Sequence, residues 1–264
     1  MGEHDTWYTI LPGWHDLEHW FEEGLRRDWK AVMFQETEFS LVHVVSALIA
    51  AALILVATLR YRAGLNENVG GETGGVVPSR RFTLGAMMDG FVGAVHKLAA
   101  DVMGEEEANR FLPIFGTLAL FLFCCNIQGL IPGFAPATTT LNTNLALALI
   151  VFLLYNVMGL YRNGLSYLAH FAGPKIGGFP WMFPLFIPVE VASHLARPVS
   201  LSLRLLGNIL ADHKVVLAFA GLVAVLLPVP FLLLGVMVAI IQTLIFTLLA
   251  IIYVGMAIEH HEEH

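Results

Sequence analysis

Residues 200–208 read Ser200-Leu201-Ser202-Leu203-Arg204-Leu205-Leu206-Gly207-Asn208 and continue as Ile209-Leu210-Ala211-Asp212-His213, placing an arginine inside a segment apolar enough to lie in lipid. A guanidinium stays protonated at any accessible pH and costs about 3 kcal/mol at membrane depth on insertion scales, so an arginine there marks an ion or proton path by default. The simpler alternative is an arginine that snorkels to an interface or pairs with Glu190.

The rest of the chain fits that solvent. Of its 264 residues, 57% are hydrophobic and 13% charged, and the mean hydropathy is +0.71. Several runs approach the ~20 apolar residues that cross a bilayer. The composition therefore predicts an all-α polytopic membrane protein and excludes a soluble core. The net charge of −7 gathers in residues 1–38, in Glu105, Glu106 and Glu107, and in residues 259–264, with no basic patch that would suggest nucleic acid. Cys124 and Cys125 are adjacent inside an apolar run, which suits small hydrophobes better than a disulfide or metal pair.

Residues 1–38 are acidic and carry Trp7, Trp14, Trp20 and Trp29, unlike a cleavable signal with its basic head and short apolar core. Residues 39–264 form the membrane domain. Spans are expected over residues 39–59, 111–131, 144–160, 185–226 and 231–258, about five in all. Residues 82–103 hold Asp89, His96, Lys97 and Asp101 and read as one amphipathic surface helix. The last two spans make a long tilted helical hairpin turning at Pro228 and Pro230. Its first arm would exceed ~60 Å at 1.5 Å per residue, about twice the hydrocarbon thickness, so it must tilt strongly or break near Pro198 or Gly207.

With five spans, Arg60, Arg62, Arg80, Arg81, Arg162 and Lys175 all fall on one side, which predicts a cytoplasmic C-terminus and an extracytoplasmic N-terminal segment. Arg26, Arg27 and Lys30 oppose this but are outnumbered by the loop pattern.

Within the long arm, Glu190, Arg197 and Arg204 recur every seven residues and lie within ~40° of one another on one helix face. His194 is one turn from Glu190, and Asn208 one turn beyond Arg204. In a continuous helix Glu190 and His213 would stand ~21 Å and ~13 Å from Arg204 along the axis, on either side of it. Groups such as a histidine and a partly buried glutamate can exchange protons near neutral pH, whereas the arginine between them cannot and would block direct leakage. Elsewhere, His15 and His19 are spaced for a metal, but Asp16 and Glu18 beside them favour a solvated helix face. His43 and His96 read as interface residues, His170 as a loop residue, and His260, His261 and His264 as a solvated tail. No cofactor or metal site is expected.

The stretch Ser200 to Asn208, with Glu190 before it and Gln242-Thr243-Leu244-Ile245-Phe246 after it, closely resembles subunit a of F-type ATP synthases. The resemblance is specific over residues 188–257, fits the span pattern from Phe39 onward, and leaves residues 1–38 uncovered. It implies a non-catalytic stator in a bacterial plasma (inner) membrane, working against the c-ring and held by peripheral-stalk b subunits. It further implies two offset half-channels that couple proton flow to rotation. By resemblance Arg204 is the essential arginine, Asn208 and Gln242 are its polar neighbours, and Glu190 is a carboxylate of the cytoplasmic half-channel, with His194 a candidate for the same path. Asn126 and Asn142 match polar residues of the outer path more weakly.

Two departures concern the outer half-channel. Many bacterial and chloroplast members have Glu nine residues after the arginine, where this chain has His213. Members with His there often carry a Glu seven residues before the glutamine, where this chain has Gly235. His213 is thus expected to be the main titratable group of the outer path, with Asp212 the next candidate. No Gly-x-x-x-x-Gly-Lys-Ser/Thr loop occurs, so nucleotide chemistry does not belong to this chain.

Two other classes of membrane protein fit the sequence less well. A secondary proton or cation transporter would usually show an internal repeat with matched broken helices, and the sequence has none. An intramembrane metalloprotease would need a His-Glu-x-x-His set, which is absent.

Overall fold

The computed structural model describes Thr9 and residues 12–25, 41–68, 84–131, 134–164, 183–220 and 228–258. These form α1 (Trp14–Leu25), α2 (Leu41–Asn68), α3 (Leu84–Met103), α4 (Glu105–Gln128), a 3-10 turn (Ala137–Thr139), α5 (Leu141–Asn163), α6 (Phe183–Ala220) and α7 (Pro228–Ile258). No strand occurs among the described residues. The protein is a helical polytopic membrane protein. The basic loop residues Arg80, Arg81 and Lys175, His170, and residues 259–264 lie outside the described set.

Four helices are long and apolar enough to cross a membrane: Leu41–Arg62 within α2, α4, α5, and Val229–Ile258 within α7. The remaining long helix, α6, carries Glu190, Arg197, Arg204, Asp212 and Lys214, so its place depends on packing against α5 and α7 rather than on apolarity alone. It runs unbroken for 38 residues through Pro188, Pro198 and Gly207. Of the two ways to fit the arm, a break at Pro198 or Gly207 is therefore not the one taken. A proline removes one i to i−4 bond and crowds the carbonyl one turn back, which bends a helix without ending it when neighbours hold both sides. At ~1.5 Å per residue α6 is ~57 Å long, so the continuous helix cannot stand upright in ~30 Å of hydrocarbon.

Lipid supplies no hydrophobic drive between helices, so contact depends on close packing, which small residues permit. Ala99, Ala108, Ala119, Ala148 and Ala250 are buried at such contacts. Between them the largest enclosed side chains interlock: Phe115 and Leu122 of α4, Tyr155 of α5, Leu205 of α6, and Phe246 and Ile251 of α7. Helix α3 joins this core through Val95 and Ala99 while Asp89, Lys97 and Asp101 stay exposed, as an amphipathic helix requires. Helix α2 packs on α4 through a smaller cluster of Ala50, Cys125 and Ala137, leaving Leu53, Leu55, Val56 and Leu59 on its outer surface. Both cysteines are free thiols. His43 is buried within α2, and His96 meets Asn109 at 3.0 Å. His15 and His19 are exposed on α1, the solvated face expected of them.

The two ends of the bundle are tied differently. At one end Gly104, with φ of 83°, lets the chain turn from α3 into α4. Glu107 in the first turn of α4 pairs with Arg162 in the last turn of α5, and Asn163 Nδ2 donates to the carbonyl of Ala257 in α7 at 3.0 Å. At the other end Ser46 Oγ of α2 donates to the carbonyl of Ala135, and Asn144 Nδ2 donates to the carbonyl of Thr138 at 2.8 Å.

Candidate functional site

Helix α6 carries the charged residues, and its neighbours give them unequal surroundings. Near its start Glu190 Oε1 lies 3.3 Å from Nε2 of His194, one turn on. The other ring nitrogen of His194, Nδ1, meets the Tyr155 hydroxyl at 3.2 Å. Arg197 lies beside two neighbouring rings, its guanidinium carbon 5.7 Å from the centroid of Tyr155 and 5.2 Å from that of Tyr253, distances suited to cation–π attraction, while the two centroids are 5.9 Å apart. Glu190, His194 and Arg197 of α6 are thus gathered with Tyr155 of α5 and Tyr253 of α7, toward the end of the bundle that also holds Arg162 and Asn163.

Arg204 is different. It is exposed on α6, and among the described residues it has neither an ion pair nor a hydrogen bond. The simple pairing with Glu190 does not occur, since that carboxylate is engaged by His194 and stands ~21 Å away along the helix. Although Glu190, Arg197 and Arg204 recur every seven residues, they do not share one environment. Tyr155 and Tyr253 contact Arg197 at its level, whereas Arg204 stands in an exposed row with Ser200, Leu203, Gly207 and Ala211. An ideal Cβ built on Gly207 would meet nothing within 4 Å.

A third setting begins one turn further on. Asn208 Nδ2 donates to Gln242 Oε1 of α7 at 2.7 Å, and Asn126 Nδ2 of α4 reaches Thr243 Oγ1 at 3.3 Å. These amides border a cavity of ≈ 20 Å³ between α4, α6 and α7, lined also by Leu130, Asp212 and Gly235. About 10–15 Å³ suffices for one water. Asn126 Oδ1 and Gln242 Nε2 are buried there and make no hydrogen bond within the described protein, so water in the cavity is their natural partner.

Of the residues singled out in the sequence, the structure thus joins Asn208, Gln242, Asp212 and Asn126 around one cavity and pairs Glu190 with His194. Asn142 is exposed and does not line the cavity. His213 lies on α6, but its side chain is outside the described set. Sequence reasoning missed Tyr155, Tyr253 and Thr243. Only the polar atom at the end of each within an apolar run hints at them. Among the described residues no three His, Cys, Asp or Glu side chains gather as metal ligands.

Fold and site together define a helical membrane protein with polar groups enclosed between its membrane helices and, on the exposed face of α6, an arginine that pairs with none of the described residues. Comparison with known proteins gives the family. The profile of the family described as ATP synthase A chain matches residues 41–255. The chain is 42% identical over 222 residues to the ATP synthase subunit a of Sorangium cellulosum, covering 83% of this chain and 82% of that one. It is likewise 42% identical over 219 residues to ATP synthase subunit a 1 of Syntrophotalea carbinolica, covering 83% and 86%. The subunit a of Geobacter sulfurreducens matches at 42% over 172 residues, 65% of this chain and 73% of its own. The chain belongs to the ATP synthase A chain family, the subunit a of F-type ATP synthases. It is accordingly a non-catalytic, multi-pass membrane subunit that works in a complex with other subunits.

Proposed function

We propose that this subunit carries protons through two offset half-channels against a rotating c-ring, with Arg204 as the fixed charge that separates them. The observation that carries this reading is the bare guanidinium on an exposed face of α6, between a Glu190–His194 pair ~21 Å to one side and an amide-lined cavity beginning one turn to the other. Left in lipid, that charge would cost several kcal/mol. A carboxylate on an apposed rotor helix removes the penalty, and a low local dielectric strengthens the attraction. The small side chains of Ser200, Gly207 and Ala211 in the same row allow such a helix close approach.

In the synthesis direction a proton comes from outside past Asp212, His213, Asn208 and Gln242 and protonates the rotor carboxylate. It travels with the ring and leaves past Glu190 and His194 to the cytoplasm. Arg204 attracts the unprotonated carboxylate and, since guanidinium does not release its proton, prevents a short circuit. Peripheral-stalk b subunits hold the subunit against rotation. The orientation that accords with Lys and Arg placement has the N-terminus outside a bacterial plasma membrane and the C-terminus in the cytoplasm.

The test is Arg204→Ala in the assembled complex. Proton-driven ATP synthesis is expected to be abolished with assembly intact, and Arg204→Lys to be impaired, because a compact ammonium does not reproduce the guanidinium fork. Normal coupled synthesis in an assembled Arg204→Ala complex would refute the reading.

A further inference from the structure

Among the described residues, the cavity between α4, α6 and α7 has one titratable wall. Its described lining is otherwise amide, aliphatic or glycine, and Asp212 supplies the carboxylate. Facing it across the helix pair is Gly235. An ideal Cβ at Gly235 would lie 4.0 Å from Asp212 Oδ2 and 2.5 Å from Leu130 Cδ2. The missing side chain of α7 is therefore the space that the α6 carboxylate looks into. Any larger residue at 235 would push against the end of Leu130 and narrow the approach to that carboxylate.

We infer that Asp212 is the proton-accepting group of the outer half-channel, and that Gly235 is the notch that leaves its carboxylate open to water. This deepens the proton-channel reading above and rests on it. In α6 the step from Arg204 to Asp212 is eight residues, ~12 Å along the axis and ~80° around it, so the carboxylate turns from the exposed Arg204 face into the bundle. Asn208 lies one turn from each and is bonded to Gln242. A proton from cavity water adds to the Asp212 carboxylate, giving the neutral acid. The acid then releases it through water held by the Asn208 and Gln242 amides toward the rotor carboxylate, and Asp212 returns to its anion. The unbonded Asn126 Oδ1 and Gln242 Nε2 supply an acceptor and a donor to orient that water.

Three variants in the whole complex test this, with Arg204→Ala and His213→Gln prepared alongside. Asp212→Asn keeps shape and removes titration, and proton-driven ATP synthesis is expected to fall by about 10²-fold, the lower range for loss of a proton-transfer group. Asp212→Glu is expected to remain active. Asp212→Asn combined with Gly235→Asp returns a carboxylate to the same cavity from the opposite helix and is expected to recover a substantial part of the loss, once the end of Leu130 swings aside. Assembly is followed by retention of the catalytic sector on the membrane, so a variant that fails to fold is recognised. If assembled Asp212→Asn synthesises at the parental rate while Arg204→Ala does not, the inference falls and the channel reading stands. Loss in His213→Gln with parental rates in Asp212→Asn would assign the role to the imidazole. Failure of the double variant to recover any activity, with Asp212→Asn inactive, would overturn the role given to Gly235. Parental synthesis in Arg204→Ala would overturn the underlying reading instead.

Discussion

Two arginines seven residues apart on one helix show how far identity and spacing under-determine a residue's role. Arg197 lies against the rings of Tyr155 and Tyr253, while Arg204 has no partner within the described protein. The Tyr155 side chain is almost wholly enclosed, 1% exposed, and does two things: its ring faces Arg197 and its hydroxyl meets His194 at 3.2 Å. Tyr155→Phe keeps the ring and drops the contact of its hydroxyl with His194, and a hydrogen bond of this kind contributes about 1 kcal/mol. Tyr155→Leu also removes the cation–π contact and aromatic packing, so the thermal midpoint of the solubilised complex is expected to fall further than in Tyr155→Phe. Equal midpoints in the two variants would show that the ring contributes nothing beyond its volume. Glu190 invites a different measurement, because its partner is the titratable His194. Glu190→Gln is expected to slow passive proton conductance in membranes stripped of the catalytic sector, with assembly unchanged. Parental conductance and synthesis rates would remove Glu190 from the proton path.

At the scale of elements, the helices follow from hydropathy runs and their punctuation, and the sequence made most of them legible. The described parts of the apolar runs lie largely within helices, residues 82–103 largely coincide with the amphipathic α3, and Pro228 opens α7. The continuity of α6 was not legible, because proline and glycine weaken a helix locally while neighbouring helices decide whether it survives. The site was legible where the resemblance named residues, as with Asn208 and Gln242, which do meet. The tyrosine contacts of Arg197 and the cavity were not, since helical period fixes which residues share a face but leaves open how α6 is rotated against α5 and α7. Helix ends offer a prediction of their own. The Glu107–Arg162 pair joins the start of α4 to the end of α5, where an acid and a base also suit the respective helix dipoles. Both side chains are partly covered, 20% and 29% exposed. Removal of either partner is expected to cost about 1–3 kcal/mol, between exposed and buried pairs. Glu107→Gln, Arg162→Gln and the double variant form a thermal-unfolding cycle, and a coupling energy indistinguishable from zero would show that the pair does not hold the two helices together.

For the molecule as a whole, the arrangement along α6 matters more than any one contact. A polar cluster near the Arg162 end and a cavity toward the 129–141 connection lie toward opposite ends of the bundle, and neither includes Arg204. A straight polar pore would instead have joined them. Offset paths make a directional prediction that a common pore does not. In a Cys124→Ser, Cys125→Ser background, a cysteine at Asn126 lines the cavity and one at His194 lies in the Glu190 cluster. A small thiol-binding cation such as Ag⁺ fits a space holding one or two waters, where bulkier reagents would not. Asn126→Cys is expected to be inhibited when Ag⁺ is added to the extracytoplasmic face of sealed vesicles, and His194→Cys when it is added to the cytoplasmic face. Each should resist the opposite addition, because the fixed Arg204 charge repels a cation from crossing between the paths. In Arg204→Ala that barrier is gone, so the sidedness should weaken in both. Equal inhibition from either face with Arg204 intact would mean that the two clusters belong to one continuous channel.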